Sequence, residues 1–338
     1  MNPLDARASR TTEKGLLTAA EEALALWGLQ GTLSLIKHRE NAVFALRTDS
    51  GDRFALRIHR AGYHCDEALQ SELQWMMALA EAGISVPTVV PTPCGKFFAI
   101  LDSSALPDAR QVDLLAWVEG EQIGTIEEPL EDNPERVRYC YSSLGQLAAR
   151  LHNHSAQWTL PENFKRHHWD KDGLVGKQPF WGQFWELKRL TDDERGWILQ
   201  AKDRIAAELG ALEKTAECYG MVHADFVPEN ALLHGEHLQL IDFDDSGFSW
   251  YLFELATALY FIQEDKHYEL AKRSLIEGYR QHRTLSEEAL EKLPLFLAAR
   301  SLTYLGWAHT REGNPTADEM QEELIERCMK TIKAFLAQ

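Results

Sequence analysis

Two stretches of this chain gather side chains that can do chemistry. They are His223-Ala224-Asp225-Phe226-Val227-Pro228-Glu229-Asn230 and Asp242-Phe243-Asp244-Asp245. Asp225 offers an anionic base, or an acceptor that orients a hydroxyl. His223 joins it in the catalytic pair, chiefly as a hydrogen-bonding brace for the loop. Asn230 and Asp242 offer hard oxygen ligands suited to Mg²⁺. Phosphoryl transfer from a nucleotide needs this set, because that reaction asks the protein mainly to position groups and neutralise charge. Asp244 and Asp245 extend the acidic tip towards a metal or a cationic substrate, one of them serving as a turn cap. Trp250 and Tyr251 follow directly and are candidates for the wall of an acceptor pocket.

Such residues need a support that brings several chain segments to one mouth. Val222, Ala231-Leu232-Leu233 and Leu238 to Ile241 are apolar, and His234-Gly235-Glu236-His237 is a turn. The pattern predicts a loop, a strand, a turn and a second strand that ends at Asp242. Upstream, a helix over 15–29 precedes strands over 32–37, 42–48 and 53–59, with Asp49-Ser50-Gly51-Asp52 as a hairpin turn. An amphipathic helix over 66–82 carries Leu69, Leu73, Met76, Met77, Leu79 and the acidic Glu72. Two more strands are expected over 97–101 and 112–117.

After Val118 the pattern turns helical, over 135–153, 191–212, 253–263, 267–281, 286–308 and 317–337. Ser286-Glu287-Glu288-Ala289 and Thr316-Ala317-Asp318-Glu319 read as capped helix starts. The class is α+β. An N-terminal lobe over 1–117 holds an antiparallel sheet of about five strands with one inserted helix, and a helical lobe over 118–338 carries the acidic loop.

In the first lobe Arg57 lies inside an otherwise apolar strand, sharing a face with Ala55 and His59. A cation there demands a partner, and Glu72 on the next helix is the candidate. Such a pair can hold nucleotide phosphates. Asn41 and the polar turn 37–41 sit where a phosphate-covering loop would be, although no G-x-G-x-x-G or Walker pattern occurs. His152-Asn153-His154 and His167-His168 do not make a zinc site, since His152 and His154 fall on different helical faces. The aromatics Trp158, Phe164, Trp169, Phe180, Trp181, Phe184 and Trp185 read mainly as packing for a helical insert.

A formal net charge of −17 over 338 residues argues against nucleic acid or an anionic membrane as a partner. The five cysteines are widely spaced, as free thiols in a reducing compartment are. The start of the chain has no apolar signal core, and no run approaches the roughly 18 apolar residues of a membrane span. A cytoplasmic protein is expected.

At His223 to Asn230 and Ile241-Asp242-Phe243 the chain resembles the aminoglycoside phosphotransferase, choline kinase and homoserine kinase group, which has the protein-kinase-like fold. The resemblance covers roughly residues 30 to 310 of the sequence. It implies that Asp225 is the catalytic aspartate facing the acceptor hydroxyl and that Asn230 and Asp242 hold Mg²⁺. It implies also that Arg57 stands where the family has its phosphate-anchoring lysine, with Glu72 as its partner. Leu115 to Val118, including Trp117, would be the hinge whose backbone meets adenine. Ala149-Arg150-Leu151-His152 resembles the family's helix that ends in a leucine–histidine pair. Ala224 stands where glycine or arginine is common.

The reading that follows is a metal-dependent phosphotransferase moving the γ-phosphoryl of ATP to a hydroxyl of a small molecule, such as an amino alcohol, a sugar or an aminoglycoside. The competing readings are a nucleotide-binding pseudokinase, a protein serine/threonine kinase of the stress-response type, and a metal-dependent phosphohydrolase.

Overall fold

The computed structural model describes residues 12–38 and 41–338. The stretch before Thr12, and Arg39 and Glu40 of the expected phosphate-covering turn, lie outside the described residues. Internal contacts divide the chain into two units. One comprises the described residues up to 119 together with 160–165, and the other 120–159 and 166–338. The sequence pattern changes at 117/118 and carries no sign of the return over 160–165.

The first unit begins with α1 (Glu13–Leu24), started by the Thr12 hydroxyl, which accepts the Gly15 N–H at 3.1 Å. Its sheet has five strands: β1 (Gly31–His38), β2 (Ala42–Thr48), β3 (Arg53–Ile58), β4 (Phe98–Leu101) and β5 (Arg110–Ala116). They run in the order β1-β2-β3-β5-β4, with every neighbouring pair antiparallel. The β2–β3 turn uses Gly51 at φ 94°, a conformation glycine adopts without steric cost. Alternation along β2 buries Phe44 and Leu46 with Leu16, Ala19 and Ala23 of α1. Helix α2 (Asp66–Glu81) buries Leu69, Leu73, Trp75, Met76 and Leu79, and with them the charged Glu72.

The second unit is mainly helical: α3 (Pro134–Gln157), α4 (Lys171–Val175), α5 (Asp192–Ala211), α6 (Tyr251–Tyr260), α7 (Tyr268–Arg280), α8 (Glu287–Leu290), α9 (Leu293–Thr310) and α10 (Pro315–Leu336). Two small sheets support its functional loops. One orders β10 (His237–Leu240), β9 (Ala231–His234) and β6 (Glu121–Gln122); the other orders β7 (His168–Trp169), β11 (Gly247–Trp250) and β8 (Tyr219–Val222). The hairpin anticipated from the sequence is β9–β10, with His234 opposite His237.

Helices α3 and α7 meet at glycines. A Cβ on Gly145 would lie 2.0 Å from the Leu275 carbonyl oxygen, and one on Gly278 would lie 2.0 Å from that of Ser142. This approach lets His152 on α3 reach the Tyr279 hydroxyl on α7, at 2.9 Å.

Two helical expectations need correction. The helix expected over 286–308 is two helices, because Pro294 opens α9 and has no N–H for a continuous helix. The last helix is capped by Asn314, with Pro315 at its first position, and not by Thr316. No helix among the described residues is long and apolar enough to cross a membrane.

Candidate active site

The acidic loop leaves β8 at Val222 and turns sharply. Ala224 sits at φ 66°, a left-handed conformation that costs a non-glycine residue roughly 1–2 kcal/mol. Glu254 holds the loop there. Its fully buried carboxylate, in the first turn of α6, accepts the main-chain N–H groups of His223 (2.7 Å) and Ala224 (2.8 Å). His223 is committed on both sides. Its Nε2 faces the Ile241 carbonyl at 2.9 Å and its Nδ1 accepts the Asp225 N–H at 3.3 Å. A carbonyl only accepts, so the proton is on Nε2 and the ring is a neutral clasp between this loop and the end of β10.

Asn230 closes a short 3-10 turn over Pro228–Asn230. Its amide nitrogen donates to the Asp225 carbonyl (2.9 Å) and to the Asp225 carboxylate Oδ2 (2.8 Å). Because the nitrogen makes these contacts, the amide oxygen is at the other corner of the group. The Ile241 N–H donates to the Asn230 carbonyl at 2.9 Å, which brings the residue before Asp242 against Asn230. Asp242 is exposed and, like Ala224, has φ 66°.

Arg300, like Glu254, is a residue that sequence reasoning missed. It lies fully buried on α9, and its Nη2 donates to Asp225 Oδ1 at 3.0 Å and to the Tyr304 hydroxyl at 2.8 Å. The signal was a lone cation amid Phe296, Leu297, Leu302 and Leu305. Burial raises the Asp225 carboxyl above its ordinary value; Arg300 opposes that rise, while Asp245 and Glu229 add to it.

The acidic tip is braced by its own main chain. Buried Arg166 donates to the carbonyls of Asp244 and Ser246, both at 2.6 Å. The Trp169 indole donates to the Asp245 carbonyl at 2.9 Å, and the Trp181 indole to the Asp245 carboxylate at 3.1 Å. Part of the aromatic cluster expected to be simple packing therefore sets the position of Asp245.

Trp250 and Tyr251 are corrected. In the β8–β11 register Trp250 pairs with Tyr219, at the opposite end of β8 from His223. Both are buried, with Trp250 against Tyr219 and Phe296 and Tyr251 stacked on His152. They are core, not pocket wall.

In the first unit Arg57 meets Glu72 at 3.0 Å, and it also makes a bidentate pair with Asp113 through Nε (2.8 Å) and Nη2 (2.7 Å). Asp113 lies opposite Arg57 in the β3–β5 register and was hidden in an apolar run. His59 reaches the same carboxylate at 2.7 Å. Burial pushes the Asp113 carboxyl up, but Arg57 and His59 outweigh it and hold it at about 2. Asn41 is buried, its side-chain oxygen accepting the Arg60 N–H at 3.1 Å. Leu115 lies within β5, opposite Ala55; beyond the strand, Trp117 is half-buried under the Arg53 guanidinium, 4.2 Å from the ring centre, and Val118 is half-buried beside it.

Asn230 and Asp242 suit a divalent cation. One presents an amide oxygen whose nitrogen is already engaged, the other an exposed carboxylate, and both are hard oxygen donors.

Residues 32–293, well over half the chain, match the phosphotransferase enzyme family, and the chain belongs to it. It is an enzyme, a phosphotransferase of the kinase class with an alcohol group as acceptor. It is similar to an amicoumacin kinase of Bacillus subtilis (strain 168), with 25% identity over 90% of this chain and 88% of that one. A homoserine kinase of Sinorhizobium medicae (strain WSM419) is 27% identical over 78% of this chain and 74% of its own. Among solved structures, a microcompartment-associated aminopropanol kinase superposes with a TM-score of 0.80 at 29% identity, covering 94% of this chain and 95% of that one. An amicoumacin kinase in complex with AMP-PNP, Ca²⁺ and Ami gives a TM-score of 0.75 at 21% identity, over 95% and 94% of the two chains, and shares the fold. That fold is the protein-kinase-like α+β class, with a lobe built on an antiparallel sheet and a helical lobe.

Proposed function

We propose that this chain transfers the γ-phosphoryl group of ATP to the hydroxyl of a small amine-bearing alcohol, with Asp225 as the base. The observation that carries the reading is the Asp225 side chain, 24% exposed while Arg300 and Asn230 each hold one of its oxygens. A carboxylate has about four lone-pair sites, so each oxygen keeps one for an incoming hydroxyl. As the hydroxyl oxygen bonds to the γ-phosphorus and the bond to the leaving ADP oxygen breaks, the hydroxyl proton passes to Asp225 and from its exposed edge to solvent.

The unit that contains Arg57 is assigned the nucleotide. Arg57 is the cation for the phosphates, held by Glu72 and Asp113; Asn41, just before β2, is assigned to the same ligand, and the backbone of Leu115, Trp117 and Val118 is assigned to adenine, the Trp117 N–H being already given to the Arg53 carbonyl. A divalent cation, Mg²⁺ on this reading, neutralises phosphate charge when bound, and Asn230 and Asp242 are the residues that would hold it.

Two observations support an amine on the acceptor. Asp245 and Glu229 lie near enough to Asp225 to raise its carboxyl against the opposing effect of Arg300, so acidic side chains that could meet a cationic group flank the base. Aminopropanol and homoserine, which name two of the similar kinases, are both amine-bearing alcohols. The enzyme then works in the cytoplasm, where ATP is at hand and its five free thiols stay reduced.

The test is ATP consumption, read by coupled ADP release, against 1-aminopropan-2-ol, homoserine, amicoumacin and a neutral sugar, with Asp225→Asn as the blank. Turnover on an amino alcohol that Asp225→Asn abolishes is expected. ATP binding without turnover on any acceptor would turn the assignment towards a pseudokinase.

A further inference from the structure

Arg300 does more than fill space, and the argument rests on the reading of Asp225 as the base. Its guanidinium sits in an aromatic cage, 4.3 Å from the Tyr304 ring centre, 4.7 Å from that of Trp181 and 5.5 Å from that of Phe253. Within that cage Nη2 alone makes hydrogen bonds, to Asp225 Oδ1 and the Tyr304 hydroxyl. Nε and Nη1 are buried without a hydrogen-bond partner. The rings return part of the cost of burying the cation, but packing alone does not call for a charge here, since an apolar side chain of similar volume avoids the desolvation of that charge and of two N–H groups. Beyond its own helix, the hydrogen bond and ion pair of Arg300 go to Asp225.

The hold is complementary to that of Asn230. Asn230, on the loop's own short turn, fixes Oδ2 at 2.8 Å, and Arg300, from α9, fixes Oδ1 at 3.0 Å. Two donors from two separate elements set both the position of the carboxylate and the rotation of its plane. Either donor alone would leave the plane free to turn. Tyr304, one helical turn along α9, takes a second N–H of the same Nη2 and fixes where that nitrogen points. Trp181 links the cage to the acidic tip, for its indole donates to Asp245.

We propose that Arg300 is the positioning residue of the phosphoryl transfer. By clamping Asp225 Oδ1 it fixes the direction from which the carboxylate meets the acceptor hydroxyl, and the aromatic cage of Trp181, Phe253 and Tyr304 exists to hold it there. Orientation of a reacting group is worth about 100-fold for a displacement of the order of 1 Å.

The experiment compares Arg300→Met, Arg300→Lys and Tyr304→Phe with the unaltered chain and with Asp225→Asn. It uses ATP and the amino alcohol on which the unaltered chain turns over fastest. For Arg300→Met the expectation is a kcat about 100-fold lower in the folded protein, a KM for ATP within about twofold, and a lower melting temperature, because Asp225 loses the partner of a largely buried ion pair. Arg300→Lys, a cation without the planar fork, recovers part of the loss. Tyr304→Phe shows a smaller kcat loss in the same direction.

Should Arg300→Met fail to fold, the lysine and Tyr304→Phe variants decide the matter. The positioning role is overturned if the folded variants turn over at the rate of the unaltered chain while Asp225→Asn is inactive. It is overturned equally if kcat falls only in proportion to lost folded protein. Full turnover by Asp225→Asn overturns instead the reading of Asp225 itself, so the two failures are distinguishable.

Discussion

Glu254 Oε2 lies 2.8 Å from the main-chain nitrogen of Ala224, a residue with φ 66°. The left-handed turn before Asp225 is thus maintained by a buried carboxylate on another element, which also takes the His223 N–H at 2.7 Å. Glutamine at 254 keeps one oxygen and turns an NH₂ group towards the other N–H. Glu254→Gln is therefore expected to cost about 2 kcal/mol in denaturant unfolding, the order expected for an unmet buried donor, and to lower kcat about tenfold or more as the loop relaxes. Ala224→Gly probes the same relation from the other side. Relief of the left-handed strain, about 1–2 kcal/mol, exceeds the roughly 0.5–1 kcal/mol of extra chain entropy. Its stability should match or exceed that of the unaltered chain, and a clear loss in the same melts would refute the account.

Asp113 gives the pH dependence a definite sign. Its carboxyl is held at about 2 against an ordinary 3.8: burial pushes up, and Arg57 and His59 outweigh it. A carboxyl depressed in the folded state adds stability that is fully present above the unfolded value near 4 and is lost as pH falls towards 2. The size is about 2 kcal/mol for a shift of this order. Unfolding free energy measured between pH 5 and 2 should fall through this window. In Asp113→Asn the Asp113 contribution to that slope should vanish, and stability at neutral pH should drop by roughly 3–5 kcal/mol because Arg57 loses its bidentate partner.

The succession of five strands along the chain, the inserted helix and the β9–β10 hairpin could be read from periodicity and turn residues, because each is a local property of the chain; the place of β5 between β3 and β4 in the sheet was not. The carboxylate, amide and aspartate of the acidic loop were legible too, since their side-chain types carry the chemistry. Glu254, Arg300 and Asp113 were not. Each looks like an interruption in an apolar helix or strand, and its meaning lies in a partner 30, 75 or 56 residues away. Sequence periodicity shows that such a charge is buried but not what it meets. Trp250 and Tyr251 failed for the opposite reason: adjacency to Asp245 in sequence suggested adjacency in space, whereas the β8–β11 register carries Trp250 to the far end of the strand.

The same register logic governs Arg57. Position 57 pairs with 113 across β3 and β5, so the cation facing Glu72 also faces Asp113. Lysine presents a point charge and cannot make the bidentate contact. Arg57→Lys, although it matches the residue the family uses, is thus expected to destabilise the chain by about 3 kcal/mol and to raise the KM for ATP. Improved ATP affinity with unchanged melting would show that the Asp113 pair is dispensable and that lysine serves as well.

Asp242 separates charge from backbone geometry. It takes φ 66°, which asparagine tolerates better than most residues because its short polar side chain suits the left-handed region. Asp242→Asn therefore keeps the turn and removes only the negative charge. If Asp242 holds a divalent cation together with Asn230, the concentration of Mg²⁺ giving half-maximal turnover should rise about tenfold or more, an order expected when a charged oxygen ligand is lost. Melting without metal should move little, because the exposed carboxylate has no desolvation to recover. Asn230→Ala differs in kind. It removes the amide oxygen and also the nitrogen that fixes Asp225 Oδ2 at 2.8 Å, so it should lower kcat even at saturating Mg²⁺. A shared pattern in the two variants, with turnover restored fully in both by added Mg²⁺, would mean that Asn230 acts on the metal alone and that its grip on Asp225 contributes nothing.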